Sequence, residues 1–252
     1  MNQKLDRFKK ILAEVTDLAG AEALLGWDQQ VNMPRGGAED RGNIIETIAG
    51  LIHEKFTSNE VGDLLADLKP YAETLDPRSD DACLIKRVAH DYEKQAKVST
   101  QWVSEFAKVT TTSQSVWEEA KTKDDFELFR PHLEKVVELR RQYADFFKPW
   151  DHVYDPLLDA LEPGLKTKEV QDIFGKLRPQ QVELIKAIAG KPVIEDGFLH
   201  IPYDEKGQWD FGVDVVTRFG YDWNRGRQDK AMHPFTTGFG IDDIRITTRF
   251  DP

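Results

Sequence analysis

The chain has 252 residues, of which 40% are hydrophobic and 31% charged, enough to bury a substantial core. Its 34 basic and 45 acidic residues leave a net charge of −11 spread along the chain, which argues against a basic surface for nucleic acid. No apolar run approaches the roughly 20 residues that cross a bilayer, so a membrane-embedded protein is set aside as well.

The chain opens on MNQKLDRFKKILAEV, which is charged and amphipathic and lacks the apolar core and small-residue cleavage site of a secretory signal. Leu5, Phe8, Ile11, Leu12, Val15 and Leu18 lie on one helical stripe, and Gly20 is expected to close that helix. Leu25 to Gly37 reads as a structured connection, because Met33-Pro34-Arg35-Gly36-Gly37 breaks the helical pattern. The helical period returns at Ile44, Ile45, Ile48, Leu51 and Ile52, then at Val61, Leu64, Leu65 and Leu68, with Ser58-Asn59 as break and cap. Further helices are expected at about 79 to 97, 99 to 121, 131 to 148, 167 to 189 and 206 to 219. The doublets Asp80-Asp81 and Asp124-Asp125 fall where helices begin and suit caps and the helix dipole. The single cysteine, Cys83, cannot form an internal disulfide; it reads as a small core residue, and a reducing, cytoplasmic setting is expected.

Between Gly190 and Tyr203 the pattern is irregular, with Lys191 to Ile194 and Phe198 to Pro202 as candidate short extended pieces. Strand character is clear only in Asp243 to Phe250, where β-branched residues dominate and polar and apolar side chains alternate. That alternation places Asp243, Arg245, Thr247 and Arg249 on one face, expected to be polar, and Ile244, Ile246, Thr248 and Phe250 on the other, expected to be buried. A strand so close to Pro252 needs neighbours for its backbone groups. With only the stretch near His200 as a candidate partner, its natural partners are expected to be missing and the chain to be a fragment of a longer protein. The fold class is therefore mainly α-helical, with a small β-sheet near the C-terminal end.

Gly220-Tyr221-Asp222, Gly226-Arg227, Asp229, His233-Pro234-Phe235-Thr236 and Asp243 to Arg249 together resemble the carboxypeptidase Taq family of metallocarboxypeptidases. His233-Pro234-Phe235 matches the family's H-P-F, and Asp243, Arg245 and Thr247 match its D-x-R-x-T. Leu25-Gly26-Trp27-Asp28, Met33-Pro34 and Arg41 resemble its N-terminal pattern. The resemblance covers the whole chain and implies that residues 1–252 are the N-terminal region of a single metallocarboxypeptidase domain. It also implies peptide substrates with a free C-terminus, a homodimer, and zinc or another divalent metal in the full-length protein.

In the family the metal site is a helix bearing H-E-x-x-H, and the nearest approach in this sequence is His53-Glu54-Lys55-Phe56-Thr57. Two histidines four apart put both imidazoles on one helix face toward one metal, and Thr57 cannot serve. His53-Glu54 is accordingly read as a surface or half-buried pair, and His90, His132, His152 and His200 are given structural roles. The expectation is a chain with no catalytic residue and no metal ligand of its own, inactive alone, whose candidate substrate-binding residues are His233, Phe235, Asp243, Arg245 and Thr247.

For Arg245, a planar fork suited to a substrate carboxylate competes with a plain ion pair to Asp243 that fixes the strand. His233 either hydrogen-bonds substrate or packs in its loop, while Trp27-Asp28 and Met33-Pro34 read as packing and helix termination. The alternative to a carboxypeptidase fragment is a non-catalytic helical peptide-binding or scaffold protein.

Overall fold

The computed structural model describes residues 1–250. Among them it places nine α-helices and a three-stranded sheet, so the expected class, mainly α-helical with a small sheet near the C-terminal end, holds. The chain separates into two compact units, one of Met1–Leu139 with Asp222–Arg249 and a second centred on Arg140–Tyr221.

In the first unit α1 (Asn2–Val31) runs through Gly20 without ending. A glycine is used there because the sheet comes close: a Cβ on Gly20 would stand 3.2 Å from the carbonyl oxygen of Phe239. A single turn of 3-10 helix at Arg35–Gly37 leads into α2 (Ala38–Phe56), so the connection expected over Leu25 to Gly37 is shorter than the sequence suggested. Ser58 caps α3 (Asn59–Ala72), Ser79 caps α4 (Asp80–Gln95) and Ser99 caps α5 (Thr100–Lys123), each side chain accepting a backbone N–H of the first turn. Asp124 ends α5 in the left-handed region (φ 53°), and Asp125 accepts the N–H of Leu128 at the start of α6 (Phe126–Asp145). The doublet thus closes one helix as well as opening the next.

The core of this unit is an apolar cluster of Leu5, Phe8 and Ile11 from α1, Val61, Leu64, Leu65 and Leu68 from α3, and Ile85, Val88 and Ala89 from α4. The apolar stripes read from the sequence face one another here, as 3.6-residue periodicity requires. Helices α2 and α5 approach through small residues, a Cβ on Gly42 lying 3.0 Å from Thr112 Cγ2 and one on Gly50 lying 2.7 Å from Ser104 Oγ. Cys83 falls outside the buried α4 face of Ala82, Ile85, Val88 and Ala89, so it is exposed rather than a core residue.

The sheet consists of β1 (Gly226–Lys230), β2 (Thr236–Gly240) and β3 (Asp243–Thr248), in the order β1-β3-β2. Strand β3 is central, parallel to β1 and antiparallel to β2. Its partners therefore lie within the chain, and the expectation that they are missing is corrected. The segment near His200 does not pair with it: Gly197–Leu199 forms a turn of 3-10 helix, and no strand forms between Lys191 and Pro202. The alternation of β1 and β2 was obscured by their glycines and charges.

The second unit contains α7 (Asp155–Asp159), α8 (Thr167–Ala189) and α9 (Glu205–Arg218). Asp155 joins the first two. Its buried carboxylate accepts the N–H of Thr167 at 2.8 Å and that of His152 at 3.3 Å, with Lys166 Nζ at 3.5 Å. The bond from Thr167, with smaller help from Lys166, pulls its pKa down to about 2 against the opposing effect of burial. Gly220 follows α9 at φ +91°, a left-handed conformation that a Cβ would strain, and lets the N–H of Tyr221 turn back to Val216.

Candidate functional site

The registered pairing of the sheet puts Arg227 and Asp229 of β1 beside Arg245 and Thr247 of β3, with Thr237 of β2 opposite Arg245. This face turns inward, reversing the expected orientation. The Arg245 side chain is 16% exposed and Thr247 is buried, while Ile244 on the supposedly buried face stands 36% exposed.

The reason is Trp27 of α1, which is buried and lies beneath the sheet. The guanidinium of Arg245 sits 4.1 Å from the Trp27 ring centroid and 4.8 Å from that of Phe239, and the Arg227 guanidinium lies 5.1 Å from Trp27. The planar, weakly hydrated head of Arg245 is held against aromatic faces in this way, while Arg227 keeps its side chain 53% exposed. Phe239 is thus a member of the site that the sequence motifs did not single out, and Trp27, read there as packing, joins it as well, since neither spacing nor alternation linked either to Arg245.

Asp243 fixes the edge that Arg245 presents. Its two carboxylate oxygens accept from Arg245 Nε and Nη2, each at 2.9 Å, and these hydrogen bonds hold the Asp243 carboxyl below the usual carboxylate range despite partial burial. Two of the five N–H groups are spent, leaving the Nη1 side of the fork and the second Nη2 hydrogen. That edge has the geometry to take a second carboxylate.

Thr247 ties the two C-terminal motifs together. Its hydroxyl donates to Phe235 O at 3.0 Å and accepts from Phe235 N at 2.7 Å, while its own N–H reaches Phe235 O at 2.9 Å. The His233-Pro234-Phe235 loop is therefore pinned to β3 through Phe235. His233 meets the edge of Trp117, ring centroids 6.4 Å apart, and lines a cavity of about 450 Å³ with Gln30, Gln114, Trp117 and Phe129. Neither Asp243 nor Arg245 lines that cavity, so the five residues form two adjoining groups linked by Thr247.

In the N-terminal pattern, Arg41 binds the carbonyl of Leu25 and pairs with Asp28 Oδ2 at 2.5 Å, with its side chain 13% exposed. These contacts hold the end of α1, and with it Trp27, against α2. His53 is fully buried rather than half-buried. Its Nε2 must donate to the carbonyl of Gln95 at 3.1 Å, because a carbonyl only accepts, and its Nδ1 stands 2.9 Å from Thr100 Oγ1. It locks α2 to the turn between α4 and α5.

The model of the carboxypeptidase Taq (M32) metallopeptidase family matches residues 7–252, and the chain belongs to that family. It is 32% identical to thermostable carboxypeptidase 1 of Thermus thermophilus, over 94% of this chain and 48% of that protein. It is 30% identical to carboxypeptidase 1 of Bacillus subtilis, over 97% of this chain and 48% of that protein. The crystal structure of BsuCP superimposes with a TM-score of 0.93 at 28% identity, covering 99% of this chain and 50% of that one. The carboxypeptidase of Deinococcus radiodurans gives 0.78 at 33% identity, with the same coverage. The chain spans about half the length of the curated relatives it matches. Among the described residues no helix is long and apolar enough to cross a membrane.

Proposed function

We propose that residues 1–252 form the N-terminal, substrate-holding region of a single metallocarboxypeptidase domain, acting on peptides with a free C-terminus. The observation that carries this reading is Arg245, whose guanidinium is oriented by Asp243, backed by Trp27 and Phe239, and left with an unspent Nη edge. A buried arginine with a fixed fork suits the planar, two-oxygen C-terminal carboxylate and discriminates against an amide. Thr247 sets the H-P-F loop beside it, so that His233 and Phe235 contact the residues preceding that carboxylate.

The family name implies a metal, with zinc or another divalent ion as the candidate. This chain's residues do not fit one: among the described residues no three His, Cys, Asp or Glu side chains gather at a common point. His53, in the nearest sequence approach to a metal motif, spends both ring nitrogens on Thr100 and Gln95. We place the ion on polypeptide other than residues 1–252, so these residues alone release no amino acid. Homodimerisation of the full-length protein and a cytoplasmic setting belong to the same proposal.

The test is indole and arginine NMR of the 252-residue chain titrated with a short peptide and its C-terminally amidated twin. The Trp27 Nε1–H and Arg245 signals should move with the free acid, not the amide, and Arg245→Lys should abolish the difference. Equal responses to acid and amide would refute carboxylate recognition. Zinc-dependent release of C-terminal residues by this chain would refute its inactivity alone.

A further inference from the structure

Helix α8 carries an apolar stripe that nothing in the described structure covers. Ile173, Phe174, Leu177, Leu184, Ile185 and Ile188 recur at helical spacing and stand between 42% and 64% exposed. Together they leave on the order of 600 Å² of apolar surface open, at the top of what a monomer's largest patch reaches. Beside the stripe an apolar groove of about 770 Å³ runs between α7 and α8, lined by Tyr154, Leu158, Val170 and Phe174, with Arg178 at its edge. The helix itself is firmly built: Asp155 caps it, and the Lys166 N–H binds the Glu169 carboxylate at 3.0 Å. Such an element is preorganised to be covered rather than to melt.

We infer that this face is the docking surface for the polypeptide corresponding to the other half of the relatives' length. The chain matches BsuCP over 99% of itself at a TM-score of 0.93, yet covers 50% of that chain. An equal length of polypeptide therefore remains in the relatives, large enough to present an apolar counter-face along the roughly 34 Å of α8. A second copy of this chain is the competing occupant, and the half-length match favours polypeptide equivalent to the relatives' other half. The inference depends on the family relationship but not on the peptide chemistry proposed above, and its readout is amide protection rather than peptidase activity.

The experiment compares hydrogen exchange in the 252-residue chain with that in the same chain joined to the unmatched half of Bacillus subtilis carboxypeptidase 1. Alone, the chain should be monomeric by light scattering and should bind an apolar dye. The triple substitution Phe174→Gln, Ile185→Gln, Ile188→Gln should suppress dye binding without changing helicity. In the joined protein, α8 amides should exchange about 100-fold more slowly, and the triple substitution should remove that protection while β1, β2 and β3 stay protected. Unchanged α8 exchange beside a folded second half would overturn the inference. So would a concentration-dependent dimer of the 252-residue chain that the triple substitution dissociates, which would assign the face to a second copy. If the joined protein does not fold, the same comparison is made with the unmatched half of the Thermus thermophilus relative.

Discussion

Replacing Thr247 by valine isolates the link between the two C-terminal motifs. The side chain keeps its volume, its β-branching and one methyl, so packing and strand preference are nearly preserved. What disappears is the 2.7 Å bond that satisfies the Phe235 N–H, together with the 3.0 Å bond to its carbonyl. The carbonyl keeps the Thr247 N–H at 2.9 Å, whereas the amide keeps nothing. Thr247 is 8% exposed, so water does not easily replace the lost acceptor. An unsatisfied buried donor costs about 1–3 kcal/mol, and the added methyl recovers less than about 1 kcal/mol of it. Because the chain has two compact units, one global unfolding curve is a poor gauge, and amide exchange at Phe235 is the sharper assay. Exchange there should accelerate by about tenfold or more, while Thr247→Ser, which keeps the hydroxyl and loses a methyl, should retain protection at Phe235. Unchanged protection in the valine variant would mean that the loop is held by something other than Thr247.

Two further perturbations probe the fold that carries the site. A Cβ on Gly62 would stand 2.5 Å from the Tyr92 hydroxyl oxygen and 3.2 Å from its Cζ, so Gly62→Ala sets a helix-propensity gain of about 1 kcal/mol against overpacking of about 1–3 kcal/mol. The tyrosine ring is stiff, so urea unfolding should show net destabilisation; a stabilised variant would show that α3 and α4 part freely. Asp155 has its folded pKa depressed from 3.8 to about 2, so its contribution is complete above pH 4 and is lost as the pH falls toward 2. Acid unfolding of the second unit should therefore steepen between pH 4 and pH 2, and Asp155→Asn should start less stable at neutral pH and lose that dependence. An identical acid profile for both proteins would refute the assignment.

The helices were legible because each apolar stripe pairs with another. Leu5, Phe8 and Ile11 meet Val61, Leu64 and Leu68, and 3.6-residue spacing specifies such contacts locally. Gly20 was misread because a glycine that admits a neighbouring backbone looks, in sequence, like one that ends a helix. The strands β1 and β2 were missed because a three-stranded sheet resting on one aromatic residue needs no apolar alternation. Cys83 was misplaced because a lone cysteine carries no periodic signal of its own. At the site, the motif residues, Trp27 and Arg227 among them, were visible by resemblance, but Phe239 was not, and neither was the packing of Trp27 against Arg245 and Arg227. Their roles arise from a contact between positions about 200 residues apart.

That contact explains why an apparently polar strand face is the buried one. Burying a guanidinium group is costly unless it is paired. Here Asp243 pairs Arg245, whose side chain is 16% exposed, so that head enters as a neutralised planar unit, while Arg227, paired with Asp229, stays 53% exposed. Trp27 supplies the surface beneath both, the contact with the largely buried Arg245 contributing about 1–2 kcal/mol and that with the exposed Arg227 about 0.5–1 kcal/mol, against the cost of its own unpartnered indole N–H. The arrangement also fixes where Arg245 points, because a fork clamped by an acid on one edge and an indole on one face has few rotamers left. A rigid cationic edge loses little further entropy when it binds a carboxylate, whereas a solvent-exposed arginine would lose most of its freedom. The buried pair and the proposed ligand site are thus one feature: the ion pair that fixes the strand is what prepares the remaining edge for a second carboxylate.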